Sequence, residues 1–218
     1  GTQVMANAGY GSMIDIWANG GDFYAPDGSI QYGDASTVAA LAEMQKEVQQ
    51  GVIAAGNQVV DNRNLFGNGQ VAFHIDAPSQ LKNWSAINVT TSQIPGAASF
   101  SSDHHIIASA NSEHPEECAL FIDYMTGAEA MALYTSYCDV MPGRVSVEVL
   151  DYYQKLNANM TVFYKAAAQC KPLPVNSTNF IAAMELLATA VQRVTIGNED
   201  PAAVAADTHD QLVEMYGK

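Results

Sequence analysis

Apolar residues recur at helical spacing through most of the chain. Met5, Tyr10, Met13, Ile14 and Trp17 fall near the 3.6-residue period and predict a helix over 3–18, with Gly20-Gly21 as its stop. Ala25-Pro26-Asp27-Gly28-Ser29 is turn chemistry. Asp34 and Ser36 are N-cap candidates for a helix over 37–50, whose buried stripe is Val38, Leu41, Met44 and Val48; Gly51 closes it. A short helix over 62–66 leads into the stretch LFGNGQVAFHIDAP at 65–78. There Gly67, Asn68 and Gly69 supply a turn. Val71, Phe73 and Ile75 alternate with Ala72, His74 and Asp76, the pattern of a strand with one apolar face. Pro78 has no N–H and ends the ladder.

Beyond Pro78 the pattern predicts a short helix through Leu81 and Trp84, a strand over 87–94, a Pro95-Gly96 turn and a strand over 104–109. Ser112-Glu113-His114-Pro115-Glu116-Glu117 is a helix start, with Ser112 as cap, Pro115 in the first turn and acids at the positive end. Its apolar stripe is Cys118, Phe121, Ile122 and Met125, and Gly127 ends it. A second helix follows over 128–137. The remainder reads as helices over 146–157, 160–168, 179–196 and 201–216.

Charge narrows the partners. Lys+Arg is 9 and Asp+Glu is 23, a net charge of −14. Such a chain repels phosphate backbones and anionic lipid, so neither nucleic acid nor a membrane surface is expected as partner. Solubility alone also accounts for the charge. The three cysteines, Cys118, Cys138 and Cys170, form no C-x-x-C pair. Cys118 reads as a small buried hydrophobe, and a Cys138–Cys170 bridge is open. No P-loop, G-x-S-x-G, H-E-x-x-H or dinucleotide fingerprint occurs. No catalytic residue, metal site or cofactor is therefore expected. His104-His105 is the one doublet that invites a metal, but neighbours on a strand face opposite ways. No signal peptide, lipobox or membrane-spanning run is found.

Several motifs carry a family resemblance. Trp17 to Gly28 spells W-x-N-G-G-x-x-x-x-x-D-G. Phe66, Gly69, Ala72, Phe73, Ala77, Pro78 and Ser79 follow an F-x-x-G-x-x-A-M-x-x-x-G-P-W segment, with Ala77 for the usual Gly and Ser79 for the usual Trp. Residues 112–125 contain S-x-x-P-E-E-C-A-L-F-I-D-Y-M. Residues 139–144 resemble G-x-x-P-x-R, with Asp139 at the Gly position, and 197–201 resemble a G-x-x-d-P junction. The chain thus resembles the family 1 extracellular solute-binding proteins, the maltose-binding-protein-like substrate-binding subunits of carbohydrate ABC importers.

The resemblance implies an α/β fold of periplasmic-binding-protein type II, mainly the helix-rich C-terminal lobe, with the N-terminal lobe absent. Residues 1–108 would be the first part of that lobe. Residues 109–139 would return to the missing lobe, and 140–218 would complete the C-terminal one. The implied function is reversible capture of a mono- or oligosaccharide in an inter-lobe cleft and its delivery to ABC permease subunits, with no bond made or broken. The implied location is the extracellular face of the membrane, held by a lipid anchor absent from this chain, or the periplasm.

Sugar binding needs aromatic faces for ring C–H surfaces and polar side chains for hydroxyls. Tyr10 lies eleven residues before Gly21, the family's spacing for a stacking Tyr; ligand and core roles are both open. Phe180 lies six residues after Pro174, where relatives stack another aromatic ring. Asn176 and Asn179 are hydroxyl partners or helix caps. Arg144 reaches the cleft or pairs with excess acids. Ser79 can hydrogen-bond but cannot stack. Asp76 sits where the predicted strand ends, the edge at which open α/β sheets bind ligands. Asp103 is a hydroxyl acceptor or a solvated loop acid, and His104 a polar loop-edge residue. The rival reading is a glycoside-acting hydrolase, for which Asp76 and Asp103 are the carboxylate pair to nominate. A third is a bare structural or interaction domain.

Overall fold

The computed structural model describes residues 9–53, 55–56, 59–94, 99–101, 104–138, 140–144, 160–172 and 179–217. The predicted helix over 146–157, the Pro95-Gly96 turn, Asp103, Asp139, Pro174 and Asn176 lie outside these residues. The chain divides into two compact units. One comprises Gly1–Ile75, Ile94–Phe100 and Cys170–Lys218; the other comprises Asp76–Gln93 and Ser101–Gln169.

The first unit is built from helices α1 (Gly9–Ala18), α2 (Ala35–Gln49) and α3 (Val59–Gly67), with α7 (Phe180–Thr195) and α8 (Pro201–Tyr216) contributed by the end of the chain. Helix α7 packs on α1, α2 and α8. Its buried residues, Ala183, Met184, Leu187, Ala190, Val191 and Val194, recur at i, i+1, i+4, i+7, i+8 and i+11, a stripe wide enough to be covered on several sides. Met13, Ile16 and Trp17 of α1, Leu41 and Met44 of α2, and Val204 and Leu212 of α8 close over it, together with Phe23, Ile30 and Tyr32 from the connecting turn. Each fully buried side chain of this size contributes about 1.5–3 kcal/mol.

Helix α1 meets α7 backbone to backbone. A Cβ at Gly9 would lie 2.2 Å from the carbonyl oxygen of Met184, so only glycine fits. The turn after Tyr32 presses on α8 in the same way. Gly33 has φ of 108°, and a Cβ there would stand 2.8 Å from His209 Cβ.

The helix ends follow their sequence signals. Asp34 accepts from Thr37 N–H at 2.8 Å, and Asp200 accepts from Ala203 N–H at 2.9 Å, each satisfying one orphan donor of its helix. Helix α1 stops where Gly20 takes φ of 84° and Gly21 N–H donates to Ile16 O at 2.9 Å. The turn at 25–29 is closed by an antiparallel bridge between Tyr24 and Ile30. At the α7–α8 corner, Gln45 of α2 donates to the carbonyls of Val194 at 3.0 Å and Glu199 at 2.8 Å. Arg193 pairs there with Glu199 and Asp207.

The second unit holds a 3-10 helix (Pro78–Trp84), α4 (Pro115–Thr126), α5 (Ala128–Cys138) and α6 (Met160–Ala167). Trp84, Ala130, Thr135 and Met160 are buried. Lys82 Nζ donates to Tyr137 O at 3.2 Å, tying the 3-10 helix to the end of α5.

Three strand expectations are corrected. Among the described residues the named strands are β1 (Phe100–Ser101) and β2 (Lys171–Pro172), which pair with each other. Residues 71–76, 87–94 and 104–109 run without a ladder. Alternation marks a strand only when a neighbour takes its N–H and C=O groups. Here Phe73 is 67% exposed and Ile107 86%. Instead of pairing, the segment after α3 folds back, and His74 stacks on Phe66 with ring centroids 5.6 Å apart.

The Ser112 cap and the buried Cys118 expected for α4 are corrected. None of its residues is buried, and Phe121 is 58% exposed. Cys118 is half-buried, and all three cysteines are free thiols. His114 occupies the cap position, while Ser112 Oγ accepts from His114 N–H at 3.2 Å and lies 3.4 Å from Cys118 Sγ. The side chain is drawn to the loop before the helix rather than to its first turn.

Two predictions arise from the α1 contacts. Gly9→Ala should cost roughly 1–3 kcal/mol, because two backbones must move apart. The urea-unfolding free energy reads this, and an unchanged value would refute the close approach. Asp15 of α1 is held up at a pKa of about 7 by burial first, then by Glu47 and Glu43 of α2. The folded chain therefore holds a proton between pH 3.8 and about 7 that the unfolded chain has released, so stability falls as pH rises through this window. Asp15→Asn should stabilise the chain at alkaline pH and flatten that slope; an unaltered slope in pH-dependent urea melts would contradict this origin.

Candidate functional site

The aromatic candidates converge on the first unit. Tyr10 lies in α1 and Phe180 is the first residue of α7, and both are half-buried. Their ring centroids are 5.8 Å apart with planes at 55°. Phe100 of β1 joins them, 5.9 Å from Tyr10 with planes at 33°. All three rings are half-buried and pack against the core. Tilted pairs at these distances hold each other in place, contributing about 0.5–1.5 kcal/mol per pair beyond area burial.

Asn179 stands beside Phe180, and its Nδ2 donates to Met215 O at 2.8 Å, fastening the start of α7 to the end of α8. It makes no side-chain capping bond to α7. Trp17, expected in the core, is buried there, and its Nε1–H donates to Asp22 Oδ1 at 3.0 Å. Asp22 also accepts from Phe23 N–H at 2.8 Å and from Lys171 Nζ at 2.9 Å. Burial alone would raise the Asp22 carboxyl, but the bonds from Trp17, Lys171 and Phe23 carry it below its ordinary value.

The remaining candidates belong to the second unit. Asp76 begins it, with Oδ1 accepting from Ala77 N–H at 2.7 Å. Ser79 lies in the first turn of the 3-10 helix, half-buried. His104 and His105 are both exposed, outside any helix or strand. Arg144 is exposed, and its Nε donates to Thr126 O at 3.0 Å. Its partner is a helix-end carbonyl rather than an acid. Among the described residues no group of three His, Cys, Asp or Glu is placed to hold a metal. No helix among them is long and apolar enough to cross a membrane.

Phe100 and the Asp22–Lys171 pair escaped the sequence reading. Phe100 lies within the polar run Ser99–Asp103, and Lys171 is far from Asp22 along the chain, so no local signal joins them.

Residues 1–170 match the family model described as bacterial extracellular solute-binding protein. The chain belongs to that family. Its fold is that of the periplasmic-binding-protein type. The GacH receptor of Streptomyces glaucescens, solved unliganded and with acarbose, superposes with a TM-score of 0.83 at 19% identity, over 98% of this chain and 58% of that one. MalE, the sugar-binding protein of Xanthomonas citri, gives 0.81 at 17% identity over 98% and 57%. An ABC substrate-binding protein of Listeria monocytogenes in complex with cycloalternan gives 0.80 at 16% identity over 100% and 58%. The chain therefore spans under two thirds of the length of these solved relatives. No curated protein matches it.

Proposed function

We propose that the chain is part of the substrate-binding component of a carbohydrate ABC importer, acting outside the cell and handing its ligand to permease subunits without chemical change. The observation that carries this is the Tyr10–Phe100–Phe180 cluster in a member of this family. Half-buried aromatic rings on the core suit the C–H surfaces of a sugar ring. The relatives solved with acarbose and cycloalternan support the ligand class. Asp76, Ser79, Asp103, His104, Arg144 and Asn179 are the proposed hydroxyl partners. Ser79 has no face to stack on, which favours short carbohydrates over long maltodextrins.

The test is calorimetric titration of the full-length protein with a panel from monosaccharides to maltotriose and longer. Phe180→Ala and Tyr10→Ala should each weaken the best ligand about tenfold, the equivalent of about 1.4 kcal/mol. A variant that loses stability but keeps its affinity would remove that ring from the site. Turnover of any glycoside in the panel would favour the hydrolase reading instead.

The helix pair α4–α5 carries a second part of the proposal. Leu120, Phe121, Tyr124, Leu133 and Tyr137 are all exposed, an apolar surface that soluble proteins cover. The relatives are longer by about two fifths of their length. We assign this surface to contact with the part of the fold they have in addition, so that 109–139 serves the other lobe. Phe121→Asp in the full-length protein should then lower the melting temperature by several degrees. An unchanged melt would mean the face is solvated there as well.

A further inference from the structure

Strands β1 and β2 are two residues each, too short to order themselves, since even isolated hairpins are marginal in water. Yet they stand where the chain departs from the first unit at Phe100 and rejoins it at Cys170. The long excursion between them makes their meeting entropically costly. Phe100 reaches Tyr10 only while β1 stays in place.

One side-chain arrangement supplies the missing order. The Asp22 carboxylate is fixed at the end of α1 by the indole N–H of buried Trp17 and by Phe23 N–H. Both of these bonds fall on Oδ1, which leaves Oδ2 for a third donor, and Lys171 Nζ takes it at 2.9 Å. The same ammonium stands 5.6 Å from the Trp17 ring centroid, a second attraction on one charge. The main chain of Lys171 then donates its N–H to Ser99 O at 2.8 Å, next to Phe100. A single residue thus grips α1 through its side chain and β1 through its backbone.

We propose that Lys171 and Asp22 form a latch that closes the base of the 101–169 excursion and thereby seats Phe100 against Tyr10. Lys171 is a positioning residue, and its role does not depend on what the site binds. The pair is partly exposed, 40% for Lys171 and 41% for Asp22, so added salt loosens the latch without unfolding the core.

Hydrogen exchange of the Lys171 amide, followed by NMR in the full-length protein, tests this. Lys171→Met keeps the aliphatic stem and removes the charge. Asp22→Asn keeps an acceptor for Trp17 and removes the opposite charge. Each should speed exchange of that amide about three- to tenfold while the global unfolding midpoint stays put. The double variant should exchange no faster than either single one, because both remove the same interaction. Lys171→Arg should restore slow exchange. Wild-type exchange in a folded Lys171→Met protein would overturn the latch. So would additive acceleration in the double variant, or a midpoint that falls in step with the exchange rate.

Discussion

The contact on which the first unit depends is the backbone approach of α1 to α7, where Gly9 lies against the carbonyl of Met184. It has two consequences at once. Toward the core it lets Met13, Met184 and Leu187 close without a gap, and close packing is what makes buried aliphatic surface count. Toward the surface it sets the aromatic cluster. Tyr10 follows Gly9 directly, and Phe180 is one helical turn before Met184. The 5.8 Å between the two rings is therefore inherited from the helix packing rather than arranged by a loop. A binding surface placed on two helices that touch is rigid in a way that loop-borne rings are not.

Electrostatics in this acidic chain is economical. Acids outnumber bases by 23 to 9, and several of the described bases are placed where one charge orders a segment. Arg193 gathers Glu199 and Asp207 at the α7–α8 corner. Lys171 holds Asp22, Lys82 holds the carbonyl of Tyr137, and Arg144 holds that of Thr126. Asp15 is the opposite case. Its neighbours Glu43 and Glu47 are acids, and burial with their repulsion keeps its proton on near neutral pH.

The two units differ in how their helices are finished. Helices α2 and α8 are capped by Asp34 and Asp200, and α1, α2, α7 and α8 are covered by core partners. Helix α4 begins with acids and Pro115 but buries none of its residues, although its sequence is as apolar as that of covered helices. Apolar composition states that a surface wants a partner. It does not say from which part of the fold the partner comes.

Much of the chain was legible by itself. Helix periodicity in α1, α2, α7 and α8, the Asp34 cap and the Gly20–Gly21 and Gly51 stops are local, since each depends on residues within about one turn. The family motifs, which run from Trp17 through the 112–125 segment to Pro201, were legible for the same reason. The strands were not. Val71, Phe73 and Ile75 alternate like a strand, but alternation cannot supply the neighbouring chain that a ladder needs, and none pairs with them among the described residues. The site was half legible. Tyr10 and Phe180 could each be named, but their contact, the arrival of Phe100 and the grip of Lys171 on Asp22 join residues far apart in sequence. Only packing brings such residues within reach, because their contact energy depends on distances that no local pattern encodes.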